Sequence, residues 1–169
     1  MNQQLIECVP NFSEGRDLSI IKQITNEIES VDGVKLLDVD PGAATNRTVV
    51  TFVGTPQAVI DAAFKAIVKA GELIDMSKQK GEHARMGATD VCPLIPVANI
   101  SMEETSEWAI KLAKRVGENT HIPTYLYGAS QPNTKRNVLA TIRGGEYEGF
   151  FTKIKQPEWK PDFGPAEYS

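Results

Sequence analysis

The chain has 169 residues, with 22 acidic and 18 basic, a formal net charge of −4 and 41% hydrophobic residues. That is one domain of ordinary size, able to bury a core without a disulfide or metal, and it excludes disordered, collagen-like and coiled-coil readings. No long basic run points to nucleic acid, no stretch of about 18 apolar residues spans a membrane, and MNQQLIECVPNF has no export pattern, so a cytoplasmic protein is expected.

Cys8 and Cys92 are the only cysteines, far apart in sequence and in no paired spacing. They read as reduced thiols that fill small spaces in a core.

In chain order, Leu5 to Val9 reads as a strand that runs into turn chemistry at Pro10-Asn11-Phe12-Ser13-Glu14-Gly15. Asp17 is a candidate N-cap for a helix with Ile20, Ile21, Ile24, Ile28 and Val31 at helical spacing, stopped by Gly33. Val34 to Asp40 and Arg47 to Val53 read as strands, with Pro41-Gly42 between them. Thr55-Pro56 starts a second helix, with Val59, Ala63, Ile67, Ala70 and Ile74 inward and Asp61, Lys65, Lys69 and Glu72 outward. Met76 to Asp90 is polar and aperiodic. Val91 to Val97 is extended but holds Pro93 and Pro96, as an edge or irregular strand does.

Ser101 and Glu104 fit a capping box for a third helix, with Thr105, Trp108, Leu112 and Val116 inward. Thr124 to Tyr127 and Val138 to Ile142 read as two short strands before the tail PEWKPDFGPAEYS. The order β-α-β-β-α-β, then α-β, predicts an α+β fold: a ferredoxin-like (split βαβ) two-layer sandwich, mostly antiparallel, with helices on one face.

Alternation puts Leu36, Asp38 and Asp40 on one face of the third expected element and Leu37 and Val39 on the other. The next strand is apolar on both faces, with Val49 and Val53 on one and Val50 and Phe52 on the other. A two-layer fold covers only one of these faces, leaving the second to water, a ligand or another chain. The alternative is that both strands are central and buried on both sides. The first reading predicts a homodimer or higher oligomer.

The standard nucleotide, hydrolase and zinc signatures are absent, so catalysis would rest on acid–base groups and hydrogen-bonding clamps. The densest polar run is Gly81-Glu82-His83-Ala84-Arg85-Met86-Gly87-Ala88-Thr89-Asp90. There His83 is either a proton carrier biased by Glu82 and Arg85 or a solvated loop histidine. Asn46-Arg47 is a substrate clamp or a capped loop; Tyr125 and Tyr127 stack a flat ligand or fill core; Arg136 and Arg143 flank a strand and read as solvated surface residues.

The runs CVPNFSEG (8–15), LLDVDPG (36–42), TNRTVVTFVG (45–54), IDMSKQKGEHARMGATDVCPLIPV (74–97), PTYLYG (123–128) and PDFGP (161–165) resemble glutamate formimidoyltransferases, specifically the N-terminal subdomain of the formiminotransferase region. The likeness runs in order through essentially the whole chain. It implies one subdomain over residues 1–169, ending at an inter-subdomain linker at about 157–169, with half of a folate cleft outside it. It implies transfer of a formimino group from N-formimino-L-glutamate to tetrahydrofolate, a step of histidine degradation, with folate as co-substrate and no bound cofactor or metal. It assigns the catalytic role to His83. It assigns folate contacts to the segment after DFGP, here Gly164, Pro165, Ala166, Glu167, Tyr168 and Ser169.

Charge and position add candidates for the substrate site. Asp38 or Asp40 could pair with the cationic formimino group, and Arg47, Arg85 or Arg143 could hold substrate carboxylates, beside Asn46 and Tyr127. The expected partners are the two substrates, a second copy, and a separate C-terminal subdomain. The competing reading is a folate-binding or assembly module without turnover. A formyl cargo in place of formimino is open.

Overall fold

The computed structural model describes residues 3–79, 86–128, 131, 139, 142, 147, 150, 153–156 and 159–165. Strands β1 (Leu5–Cys8) and β2 (Asn11–Phe12) precede helix α1 (Leu18–Glu29), and β3 (Val34–Gly42) and β4 (Arg47–Gly54) precede α2 (Pro56–Leu73). A short 3-10 turn, Met76–Lys78, leads on to β5 (Thr89–Val91), β6 (Leu94–Ala98) and α3 (Met102–Asn119).

All pairings are antiparallel, in the order β5-β2-β4-β1-β6, with β3 on the other side of β4. β1 and β2 lie end to end along β4 in one unbroken register: Cys8 pairs with Phe52, Pro10 O accepts from Val50 N, and Asn11 pairs with Val49. Pro10 has no N–H to donate, which interrupts what is otherwise a single strand. β5 and β6 likewise lie end to end along β2 and β1, bridged by Val9 N donating to Pro93 O. Counting each broken pair as one strand gives the expected split βαβ sandwich, its helices packed on one sheet face.

Each helix follows its apolar stripe. α1 buries Ile21, Ile24 and Ile28, and α2 buries Val59, Ala63, Ile67 and Ala70. α3 buries Thr105, Leu112 and Val116. All of these except Ile21 and Thr105 meet Ile6, Cys8, Phe12, Val50 and Phe52 from the sheet in one core. Arg115 joins α3 to α2 by an ion pair with Asp61 (2.6 Å) and lies 4.2 Å from the centre of the Phe64 ring.

The sheet differs from simple alternation in one place. β3 shifts register between Leu36 and Asp38, so two residues of β3 fit where one is expected. Leu36 opposite Phe52 and Val39 opposite Val50 both face the helices, while Asp38 opposite Thr51 and Asp40 opposite Val49 face outward. Leu36 therefore does not share a face with the two aspartates. β4 resolves the second ambiguity: Val50 and Phe52 are fully buried, whereas Val49 and Val53 are half-buried on the outer face. That face also exposes Leu37, Ile95 and Val97.

Two expected strands are corrected. Of Thr124 to Tyr127 only Thr124 is paired, in an isolated bridge with Phe163 of the tail. In Val138 to Ile142 the described residues, Leu139 and Ile142, are helical. A short apolar run fits either state, and packing decides it. The tail folds back on 124–128 and Gln131: Asp162 Oδ2 accepts from Leu126 N (2.8 Å) and Gln131 Nε2 (2.9 Å), and Tyr125 OH donates to Trp159 O.

Candidate active site

β2 runs into a buried turn, Ser13-Glu14-Gly15, over which the β3–β4 hairpin closes. A Cβ on Gly15 would stand 2.2 Å from Gly42 O and 2.6 Å from Arg47 N, so no larger residue fits. The Gly15 N–H donates to Asn46 Oδ1 at 2.9 Å. Asn46 is 2% exposed and sits at φ +50°, a left-handed conformation that asparagine accepts more readily than most residues.

From there the network reaches Gln79. Asn46 Nδ2 donates to Gln79 Oε1, and Gln79 Nε2 donates to Glu14 Oε2 at 2.9 Å. The other oxygen of Glu14 accepts from the N–H groups of Arg16 and Asp17, both at 2.9 Å, and Thr48 Oγ1 donates to the Glu14 carbonyl at 2.5 Å. A carboxylate this buried is stable only when its oxygens are met by donors, and here three donors meet it.

Ser13 secures a second stretch. Its Oγ donates to Gly87 O (2.7 Å) and its N–H to Ala88 O (2.8 Å), while Met86 N donates to Asp90 Oδ1 (2.7 Å). Gln79 and Gly87-Ala88, on either side of residues 80–85, are thus both tied to the turn after β2.

The other expected site residues fall into separate groups. Asp38 and Asp40 are exposed on the open sheet face. Half-buried Arg47 pairs with Gly42 two positions from Val49, which puts it diagonally across the hairpin from Asp40 on that face. Asn46 points inward into the buried network. Tyr127 lines a cavity of about 640 Å³ on the helix side, walled by α2, α3, 86–94 and 122–128, and so is not grouped with the aspartates.

Gly164 has a structural task. At φ +88° it lies so close to α3 that a Cβ on Gly117 would come within 2.5 Å of its nitrogen. Pro165 follows it, half-buried. His83, Arg85, Arg143, Ala166, Glu167, Tyr168 and Ser169 lie outside the described residues.

Sequence reasoning missed Ser13, Glu14, Thr48 and Gln79. Three of them read as turn or strand residues and the fourth as part of an aperiodic polar run. The available signal was an acid and a serine placed directly after a buried strand, next to a glycine. The two cysteines, far apart in sequence, also come together: their sulfurs are 3.5 Å apart.

Residues 5–169 match the family described as "Formiminotransferase domain, N-terminal subdomain". The chain is 53% identical over 165 residues to the formimidoyltransferase-cyclodeaminase of Gallus gallus, covering 98% of this chain and 30% of that protein. It is 48% identical to the glutamate formimidoyltransferase of Thermoplasma acidophilum, covering 96% of this chain and 54% of the relative. Against the glutamate formimidoyltransferase of Streptococcus pyogenes serotype M1 it is 42% identical, covering 95% and 54%. The chain therefore spans between about a third and about half of the length of these relatives. With the split βαβ sandwich and the motif-bearing turns in place, the chain belongs to the formiminotransferase family, as its N-terminal subdomain.

Proposed function

We propose that this chain is the N-terminal half of a glutamate formimidoyltransferase, moving the formimino group of N-formimino-L-glutamate to N5 of tetrahydrofolate. The observation that carries the reading is the family match over residues 5–169, which includes GEHARMGATDVCP with His83. N5 attacks the formimino carbon and forms a C–N bond; the tetrahedral intermediate then releases glutamate as its C–N bond breaks. N5 gives up a proton and the departing glutamate nitrogen gains one. His83 carries that proton as general base and then general acid.

Gln79, Gly87 and Ala88, held by Glu14, Asn46 and Ser13, support the reading by fixing the chain on both sides of residues 80–85. Asp40, with Asp38 beside it, offers negative charge to the cationic formimino group from the open face, and Arg47 offers a donor fork to a substrate carboxylate. Arg85 and Arg143 serve the same carboxylates, and the segment from Gly164 to Ser169 contacts folate. A second subdomain supplies the other wall of the folate cleft. The open sheet face, with Leu37, Ile95 and Val97 exposed, is suited to cover by another chain, and a cytoplasmic homodimer is the assembly we expect.

The test is complementation. The chain is assayed for 5-formiminotetrahydrofolate alone and after mixing with the C-terminal subdomain of the Thermoplasma relative. Turnover that arises only in the mixture supports a half-enzyme. Folate binding without turnover in any mixture would favour the binding-module reading instead.

A further inference from the structure

Cys8 and Cys92 are the described cysteines the proposed reaction leaves without a role. Cys8 ends β1 on the helix-facing side, fully buried. Cys92 lies between β5 and β6, where the unbroken register sets it opposite Pro10 and diagonal to Cys8 on the same face. Their sulfurs stand 3.5 Å apart, in hydrogen-bonding contact. Cys92 is partly exposed and lines the 640 Å³ cavity, which offers a small reagent a route to this residue.

We propose that Cys8 and Cys92 form a reversible oxidation site, in which a hydroperoxide oxidises Cys92 and Cys8 resolves it to an intramolecular disulfide. In the first step the Cys92 thiolate sulfur attacks one peroxide oxygen. An S–O bond forms, the O–O bond breaks, and the departing hydroxide takes up the proton that the Cys92 thiol gave up and leaves as water, giving a sulfenic acid. In the second step the Cys8 sulfur attacks the Cys92 sulfur, the S–S bond forms, the S–O bond breaks, and the hydroxyl leaves as water with the Cys8 proton. Two thiols and one hydrogen peroxide become one disulfide and two waters.

The division of labour follows from the surroundings. Burial, first, and the contact with Cys92 push the Cys8 thiol well above its ordinary value, so it is a poor first nucleophile and serves as the resolving partner. Closing the bond requires the sulfurs to approach by about 1.5 Å and, since diagonal neighbours on paired strands stand about 7–8 Å apart, the two backbones to draw slightly together at this point. Both lie where regular pairing gives way: Cys8 is the last residue of β1, two positions before Pro10, and Cys92 lies between β5 and β6 with Pro93 after it. The bond would join β1 covalently to the strand that leads out of the Gly87-Ala88 anchor.

The experiment treats the full chain with a small excess of hydrogen peroxide and maps its thiols by mass. The expected result is a loss of two hydrogens, loss of both alkylatable thiols, and one peptide pair joined through Cys8 and Cys92, all restored by dithiothreitol. In the Cys8→Ser variant, the same treatment should leave Cys92 as a sulfenic acid that dimedone traps. Mapping the unmodified chain does not depend on that variant folding. Two free thiols after treatment, over-oxidised Cys92 beside reduced Cys8, or a disulfide only between chains would each overturn the proposal.

Discussion

Glu14 is buried and holds three donors from two parts of the chain, the N–H groups of Arg16 and Asp17 just before α1 and the Gln79 side chain, and its removal breaks all three bonds. Glu14→Ala should therefore cost about 2 kcal/mol or more of stability, read as a lower urea midpoint with an unchanged slope. Asp40 is the opposite case. It is exposed on the outer face, so Asp40→Asn should change stability by less than about 0.5 kcal/mol while reducing turnover of the complemented enzyme. A large stability loss with unchanged kinetics would make Asp40 a structural residue. The contrast also marks what was legible. Asp40 stands out in sequence as an acid on an amphipathic strand. Glu14 looks like a solvated turn residue, because its partner Gln79 lies 65 positions away.

At the scale of elements, the helices were legible because their signals are local. Ser101 and Glu104 form the full capping box, with Glu104 N donating to Ser101 Oγ at 3.0 Å and Ser101 N to Glu104 Oε1 at 3.3 Å. Ser101→Ala should cost about 1 kcal/mol of stability and leave turnover unchanged, since α3 starts away from the polar turn. The caps also set an acid dependence. Hydrogen bonds from the side chain and backbone of Ser19 hold the Asp17 carboxyl below its ordinary value, and those of Ser77 do the same for Asp75. A carboxyl lowered on folding contributes stability that is present above its unfolded value and disappears as pH falls through the folded one. The melting temperature should thus fall below about pH 4, and less steeply in Asp17→Asn, Asp75→Asn. The strands were less legible. Period-two counting assigns Leu36 to the wrong face because nothing in VKLLDVDPG announces the bulge, and Leu139 and Ile142 read as strand residues because a short apolar run carries no period of its own.

For the whole molecule, the sheet face away from the helices is the one that its own elements leave open. Leu37 (50% exposed), Ile95 (41%) and Val97 (51%) stand there with half-buried Val49 and Val53 around exposed acids. Such a face is expected to associate, and sedimentation at micromolar concentration should show a dimer or larger species that Ile95→Lys shifts toward monomer. A monomer at all concentrations would show that this face is tolerated in water. That an uncovered face exists was legible from the two-layer fold. Which apolar residues occupy it was not, because β4 is apolar on both sides and only packing against α1 and α2 separates Val50 and Phe52 from Val49 and Val53. The central claim, that this fold presents a proton-carrying His83 to a formimino transfer, is tested most directly by one rate. The complemented protein and its His83→Ala variant are compared for 5-formiminotetrahydrofolate formation at saturating substrates. We expect turnover to fall by about a hundredfold or more, the size of a general acid–base contribution, with folate affinity nearly unchanged. Near-normal turnover in the variant would contradict the account.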